Sequence, residues 1–135
     1  MSALRHAVAL GLLGLALGGC QRGGAPRAAA EGFLDQHYVH IDLEAAKQYC
    51  VGVARAKVED EQRLVGDQLI DESTRRPRVS YRLGEQRDED ADRVSFVYHA
   101  TVRFDDGGST DLRWLVTTRR EPDGSWKVSN YQEFQ

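Results

Sequence analysis

The chain has 135 residues, a formal net charge of −3 and two cysteines, Cys20 and Cys50. This length predicts one small domain that is large enough to bury a hydrophobic core. The mildly acidic balance excludes a general electrostatic attraction to nucleic acid.

The first residues have the pattern of a secretory signal. One basic residue, Arg5, precedes an uncharged apolar run over residues 7–17, and small residues follow it. The run has about half of the roughly 20 residues that a transmembrane helix needs. We therefore predict a cleaved signal peptide over residues 1–19 rather than a permanent membrane span.

The end of this run resembles the lipobox of bacterial lipoproteins, in which an aliphatic residue and two small residues precede a cysteine, here Leu17-Gly18-Gly19-Cys20. The resemblance implies cleavage before Cys20 and lipid attachment to its sulfur. Because several acyl chains bury many methylenes, at about 0.8 kcal/mol each, they would hold the protein at a membrane. The alternative is an ordinary signal peptide with a chance cysteine. Export also excludes nucleic acid as a partner.

The residue after Cys20 bears on location. In the enteric sorting rule for such lipoproteins, Asp at this position retains the protein in the inner membrane, and this chain has Gln21. We therefore expect a lipid-anchored protein on the periplasmic side of the cell envelope, at the outer rather than the inner membrane.

With Cys20 lipidated, Cys50 has no partner for an intramolecular disulfide. Its helical, apolar surroundings predict a buried, unreactive thiol, and a reactive or intermolecular thiol is the alternative.

Helices are expected to begin the folded part of the chain. Glycines and a proline predict a flexible tether over residues 20–27, and the domain then spans residues 28–135. An apolar stripe from Ala30 to Ile41 predicts a first helix, and Asp42 is placed to cap a second. A third helical pattern runs from about residue 53 to Ile70, with a charged outer face.

The second half of the chain alternates with a period of two, which predicts four antiparallel strands joined in sequence. They are expected near residues 79–83, 94–104, 112–117 and 126–134, with a charged loop over residues 84–91. Turn sequences occupy residues 105–108 and 122–124. The last strand alternates as Trp126, Val128, Asn130, Gln132 and Phe134. Segregated helices and strands predict an α+β fold, with the N-terminal helices packed on one face of a curved four-stranded antiparallel sheet.

This order of elements resembles the nuclear transport factor 2-like superfamily, a cone-shaped α+β fold. The resemblance is carried by three short stretches: Glu31-Gly32-Phe33-Leu34, Ile41-Asp42 with Ala45-Ala46, and Asp123-Gly124-Ser125-Trp126-Lys127-Val128. The superfamily includes ketosteroid isomerases, dehydratases, polyketide cyclases and many non-enzymatic binding or assembly domains, so the fold does not give the function. It implies a pocket between the helices and the concave sheet.

Four aromatic residues are candidates for lining that pocket: Tyr49, Tyr81, Tyr98 and Trp114. The alternative is that they fill the hydrophobic core. The isomerases use a pocket carboxylate as a base, whereas the candidate carboxylates of this chain fall at strand ends or in turns. These are Asp92, Asp105, Asp106, Asp111 and Asp123. We therefore assign no catalytic residue and expect no cofactor.

Two polar groups of residues have structural and functional interpretations. His37, His40 and Asp42 could form a metal cluster, but zinc sites hold three or four ligands on rigid elements, so we predict structural or surface roles and no metal. A basic cluster predicts a solvated helix end, and its alternative is contact with phosphate headgroups of a membrane or lipopolysaccharide. This cluster consists of Arg75, Arg76, Arg78 and Arg82.

The strand face opposite the apolar one is mixed in polarity and leads to the first functional hypothesis. It carries Ser95, Val97, His99, Thr101, Arg113, Leu115 and Thr117. If helices cover only the other face, this face is free for pairing, as it often is in relatives that dimerise. We therefore expect a non-catalytic lipoprotein that binds a partner envelope protein, a second copy of itself or a small hydrophobic molecule. The alternative is a small periplasmic enzyme of the isomerase, dehydratase or cyclase type, acting in the pocket.

Overall fold

The computed structural model describes residues 24–66 and 76–135, and within these ranges every helix precedes every strand. The helices are α1 (Gly24–Leu34), α2 (Leu43–Lys47) and α3 (Gly52–Val65), and a single π-helical segment, Asp35–Val39, continues α1. The strands are β1 (Arg78–Asp90), β2 (Arg93–Arg103), β3 (Ser109–Arg120) and β4 (Trp126–Phe134). They form one antiparallel sheet in the order β1-β2-β3-β4. The predicted α+β fold, with helices packed on a curved four-stranded sheet, is confirmed.

Several predicted features lie outside the described residues: the signal peptide over residues 1–19, Cys20, Gln21 and Arg75. None of the described helices combines the length and the apolar character needed to cross a bilayer.

Helix α1 begins earlier than expected. It starts at Gly24, so residues 24–27, which we assigned to the tether, belong to the helix. Pro26 is compatible with this start because the first turn of a helix has no internal partner for its backbone N–H groups. Arg27 and Glu31, one turn apart, form an ion pair at 3.1 Å on the same helix.

The boundaries of α2 and α3 follow from their caps. The Asp42 side chain accepts a hydrogen bond from the Ala45 backbone N–H at 3.0 Å, which confirms it as the cap of α2. Helix α3 ends at Val65 because Gly66 adopts φ +59°, a left-handed conformation that favours glycine. The helix is therefore shorter than predicted, and residues 67–70 lie outside the described part of the chain.

Strand β1 is longer than expected, and the predicted loop over residues 84–91 is wrong. The strand continues to Asp90 and pairs with β2 along its length, with a bulge between Leu83 and Glu85. Side chains 84–90 are all exposed, so this part of the strand has no buried face and no apolar alternation. Backbone pairing with β2, rather than side-chain burial, holds it in the sheet.

The core lies between the helices and one face of the sheet, which we call the inner face. Its strand residues are Val94, Phe96, Tyr98, Ala100, Trp114, Val116, Val128 and Tyr131. The burial pattern agrees with the predicted alternation in β3 and, apart from the buried outer-face residue Ser95, in β2. In β4 it differs after Val128, because a bulge at Ser129 shifts the register, so that Tyr131 is buried while Phe134 is exposed. The predicted alternation of Trp126, Val128, Asn130, Gln132 and Phe134 is therefore wrong beyond Val128.

Candidate functional site

Three of the four predicted pocket residues meet on the inner face. Tyr98 and Trp114 are buried, and Tyr81 is partly buried beside them. The Tyr81 ring meets the Tyr98 ring edge-on, with centroids 5.5 Å apart, and lies 6.0 Å from the Trp114 ring. Tyr38 stacks on Trp114 at 4.1 Å. These contacts join the sheet to the π-helical segment through aromatic packing. That the four residues line an open pocket stays a prediction.

Tyr49, the fourth residue, lies near α1. Its ring covers Gly32, and a Cβ atom at position 32 would overlap with the ring. Tyr49 is partly buried and packs against the core cluster. Its backbone carbonyl accepts a hydrogen bond from the Val128 N–H at 2.7 Å, which fixes the α2–α3 connection to β4.

A polar cluster borders these aromatic rings. The Tyr81 hydroxyl donates to Asp35 Oδ1 at 2.5 Å, and burial, reinforced by this carboxylate, raises the pKa of Tyr81. Burial also raises the pKa of Tyr98, with Glu31 adding to the effect. The buried Tyr98 hydroxyl has no hydrogen-bond partner among the described residues. Both tyrosines are therefore neutral donors near neutral pH.

A second polar cluster joins α3, the π-helical segment and β4. Glu61 Oε2 lies 2.6 Å from His37 Nε2, and Glu61 Oε1 accepts from the Tyr131 hydroxyl at 2.6 Å. Burial acts to raise the pKa of Glu61, but the hydrogen bonds from His37 and Tyr131 outweigh it, so that pKa is lowered. Lys57 donates to the Tyr131 carbonyl at 2.7 Å and to Asn130 Oδ1 at 2.8 Å.

Sequence reasoning did not find this second cluster. Tyr131 lies one position out of the alternation of β4, and only the bulge turns it inward. Glu61 falls on the face of α3 that its charged neighbours mark as solvated. No signal in the sequence places the bulge, so no sequence argument brings Glu61, His37 and Tyr131 together.

The three residues considered for a metal cluster each have a different structural role. His37 pairs with Glu61, and Asp42 caps α2. His40 is exposed, and its carbonyl accepts from Arg76 at 3.0 Å. Over residues 24–66 and 76–135 no group of three or more His, Cys, Asp or Glu side chains is arranged to hold a metal ion.

Cys50 is buried, as predicted. Its side chain is 2% exposed, and the thiol donates to the Ala46 carbonyl at 3.4 Å. Burial raises the pKa of the thiol to about 12. The thiolate, which is the reactive form, is therefore scarce near neutral pH.

The other face of the sheet is called the outer face. Among residues 24–66 and 76–135, the core cluster contains no residue from it, so the described helices cover only the inner face, as the first hypothesis required. Val97 and Leu115 lie opposite each other across β2 and β3 and are partly exposed. Ser95 is buried, and its hydroxyl lies 3.3 Å from that of Thr117.

A groove of about 560 Å³ lies at one end of the outer face. It is lined by Ser80, Arg82, His99, Thr101, Asp111 and Arg113, together with neighbouring backbone and the C-terminal Gln135. Of the predicted basic cluster, Arg82 lies in this groove, whereas Arg78 and Arg76 lie beside the β2–β3 turn.

Comparison with known proteins identifies the fold. No protein-family model matches the chain, and no curated protein matches its sequence. A ketosteroid isomerase-like protein from Erwinia carotovora atroseptica superposes with a TM-score of 0.57 at 17% identity, over 81% of this chain and 92% of that one. A putative calcium/calmodulin-dependent protein kinase type II association domain from Thiobacillus denitrificans gives a TM-score of 0.60 at 16% identity, over 82% and 95% of the two chains.

A third solved structure is a domain of unknown function with a cystatin-like fold from Nostoc punctiforme. It gives a TM-score of 0.59 at 11% identity, over 79% of this chain and 72% of that one. At these identities the matches show a shared fold and say nothing about activity. The chain has the cone-shaped α+β fold of ketosteroid isomerase-like and nuclear transport factor 2-like proteins.

Proposed function

We propose that this chain is a lipid-anchored protein of the bacterial cell envelope whose α+β domain is a non-catalytic binding module. The lipobox-like stretch that ends at Cys20 supports the anchor, and Gln21 favours the outer membrane. Helix α1 begins four residues after Cys20, so few residues separate the proposed anchor from the domain.

The observation that carries the binding role is the contrast between the two faces of the sheet. On the inner face, Tyr98 and Trp114 are buried against other rings. On the outer face, the apolar pair Val97 and Leu115 remains partly exposed between polar neighbours. A small apolar centre with a polar rim is the usual composition of a protein interface. The partner is therefore another envelope protein or a second copy of this chain.

The second candidate site is a pocket between the helices and the sheet. Such a pocket would bind a small hydrophobic ligand or serve an enzyme of the isomerase, dehydratase or cyclase type. One observation favours it: the buried Tyr98 hydroxyl has no partner among the described residues and lies near Tyr81 and Asp35. The hydroxyl in this position could donate a hydrogen bond to a ligand oxygen.

The anchor is tested by lipid labelling. Cells that express the wild-type chain and the Cys20→Ala variant are grown with radioactive palmitate, and their membranes are fractionated. The wild type should carry the label and sediment with the outer membrane, and the variant should carry none. Label that persists in the variant would show that Cys20 is not the attachment site.

The binding face is tested by photo-crosslinking in intact cells. A photoreactive amino acid replaces Val97 on the outer face or, as a matched control, Arg55 on the exposed side of α3. A discrete crosslinked species at position 97 and not at position 55 supports the proposal. Equal crosslinking at the two positions contradicts it. A reproducible small added mass in native mass spectrometry, without crosslinks at position 97, would favour the pocket instead.

A further inference from the structure

The groove on the outer face is built around a row of basic side chains. Arg82 on β1 pairs with His99 on β2, and His99 pairs with Arg113 on β3, so the three stand side by side across the sheet. Arg82 and Arg113 therefore lie two strands apart on the same face, with His99 between their strand positions, and an anion between the two arginines would be attracted by both. Arg78 and Arg103 form a second basic row toward the β2–β3 turn, where the two like charges lie directly opposite each other outside this groove.

The arginines of these rows have no carboxylate partner within the described residues. The ion pairs found there involve other arginines, among them Arg119 with Glu121 at the opposite end of the outer face. Arg82 and Arg113 both line the groove. A guanidinium binds phosphate through two parallel hydrogen bonds, which makes arginine the preferred residue for such anions.

The shape of the groove also depends on Gly84. A Cβ atom at position 84 would lie 2.5 Å from His99 Cδ2, so only glycine leaves room for the imidazole ring. The β1 bulge falls at this residue, between Leu83 and Glu85. The bulge and the missing side chain together let the His99 ring lie over β1 at residue 84.

The other polar side chains that line the groove favour a ligand that carries hydroxyl groups as well as an anionic group. Thr101 Oγ1 donates to Asp111 Oδ1 at 2.9 Å, which leaves the other carboxylate oxygen and the Ser80 hydroxyl for a ligand. A carboxylate repels a phosphate but accepts hydrogen bonds from hydroxyl groups. The groove, at about 560 Å³, is also larger than a phosphate ion requires.

We propose that this groove binds a phosphate ester of a hydroxyl-bearing group, such as a glycerol or sugar phosphate. Arg82 and Arg113 hold the phosphate, while Asp111 and Ser80 hold the hydroxyl groups. The ester is either a soluble molecule or the headgroup of an anionic membrane lipid. This inference rests on the proposed function, since it takes the outer face as the binding surface, and it names the chemistry of one ligand there.

Calorimetry of the mature, lipid-anchored protein tests the site. The protein is placed in phosphatidylcholine nanodiscs and titrated with glycerol 3-phosphate or inorganic phosphate. We expect glycerol 3-phosphate to bind more tightly, and Arg82→Gln and Arg113→Gln each to weaken its binding about tenfold or more. Arg119→Gln is the matched control because it removes the same charge from the same strand and face, and it should leave the affinity nearly unchanged.

Two further variants separate recognition from general electrostatics. Asp111→Asn should reduce the preference for glycerol 3-phosphate over inorganic phosphate, because it removes a hydroxyl acceptor and a repelling charge. Arg82→Lys keeps the charge without the paired hydrogen bonds, so it should bind more weakly than the wild type but better than Arg82→Gln. Thermal unfolding of every variant establishes that it is folded.

The source of the ester is distinguished by adding phosphatidylglycerol to the nanodiscs. If the lipid headgroup occupies the groove, soluble glycerol 3-phosphate binds more weakly in these discs. If the ligand is soluble, its affinity is the same in both. No binding at millimolar concentrations in phosphatidylcholine discs, or equal losses in the Arg113→Gln and Arg119→Gln variants, would overturn the proposal. If phosphate binding fails, the crosslink at position 97 is still expected, and the protein-binding role stands. If phosphate binding is intact but the crosslink is absent, only the protein-binding role is contradicted.

Discussion

The Tyr131 hydroxyl donates to Glu61 Oε1 at 2.6 Å and so ties the last strand to helix α3. The same carboxylate holds His37 through its other oxygen, at 2.6 Å. One partly buried acid therefore joins three elements that are far apart in the sequence. Because the Tyr131 ring also packs against Phe33, at 4.8 Å between centroids, the polar and apolar contacts reinforce each other.

Replacing Tyr131 by Phe should destabilise the protein by about 1–2 kcal/mol, because it removes a hydrogen bond to a charged group and keeps the ring packing. Urea unfolding measures the change. The Glu61→Gln variant and the double variant complete a cycle, and we expect the two losses to be less than additive because the residues share one interaction. Strictly additive losses would show that the hydrogen bond contributes nothing to stability.

The lowered pKa of Glu61 predicts a pH dependence of stability. In the unfolded chain the Glu61 carboxyl has its ordinary pKa. Above that pH, the hydrogen bonds to the ionised carboxylate stabilise the folded state in full. This gain should be lost as the pH falls through the lower folded pKa. Urea unfolding of the wild type and of Glu61→Gln from neutral to acid pH should show the free energies of unfolding converging in acid. A difference that stays constant throughout that range would exclude Glu61 as the cause.

The inner faces of β2 and β3 could be predicted because they contain no bulge. Strict alternation is then enough to place Phe96, Tyr98, Trp114 and Val116 in the core. The extent of β1 could not be predicted, since residues 84–90 have no buried side chain and are held by backbone pairing alone. Helix α1 extended into the predicted tether because its first turn tolerates proline and needs no buried residue.

The candidate sites also have a part that the sequence predicts and a part that it does not. Alternation predicted which side chains share the outer face, including His99 and Arg113. Their alignment with Arg82 depends on the register between strands, which the alternation of a single strand does not determine. The Glu61 cluster depends on the β4 bulge and so on tertiary structure alone.

Gly32 provides a test of packing between α1 and Tyr49. In an exposed helix, alanine is favoured over glycine by about 1 kcal/mol. At position 32 the added Cβ would overlap with the Tyr49 ring, so Gly32→Ala should instead destabilise the protein by about 1–3 kcal/mol.

The matched control repeats the Gly32 substitution in a Tyr49→Ala background. Without the ring, alanine at position 32 should be neutral or stabilising, and thermal unfolding would show the sign. A loss of the same size in both backgrounds would mean that the ring is not the obstacle.

The buried thiol of Cys50 predicts slow chemical modification. Its pKa of about 12 and its 2% exposure leave little accessible thiolate near pH 8. In a Cys20→Ser background, where Cys50 is the only cysteine, a thiol reagent such as Ellman's should react fully only after unfolding in guanidinium. The native protein should react through its transiently opened form, so its rate should follow the equilibrium population of that form. Destabilising variants such as Tyr131→Phe open more often and should therefore accelerate the reaction. A native rate that is unaffected by Tyr131→Phe would show a thiol accessible without unfolding.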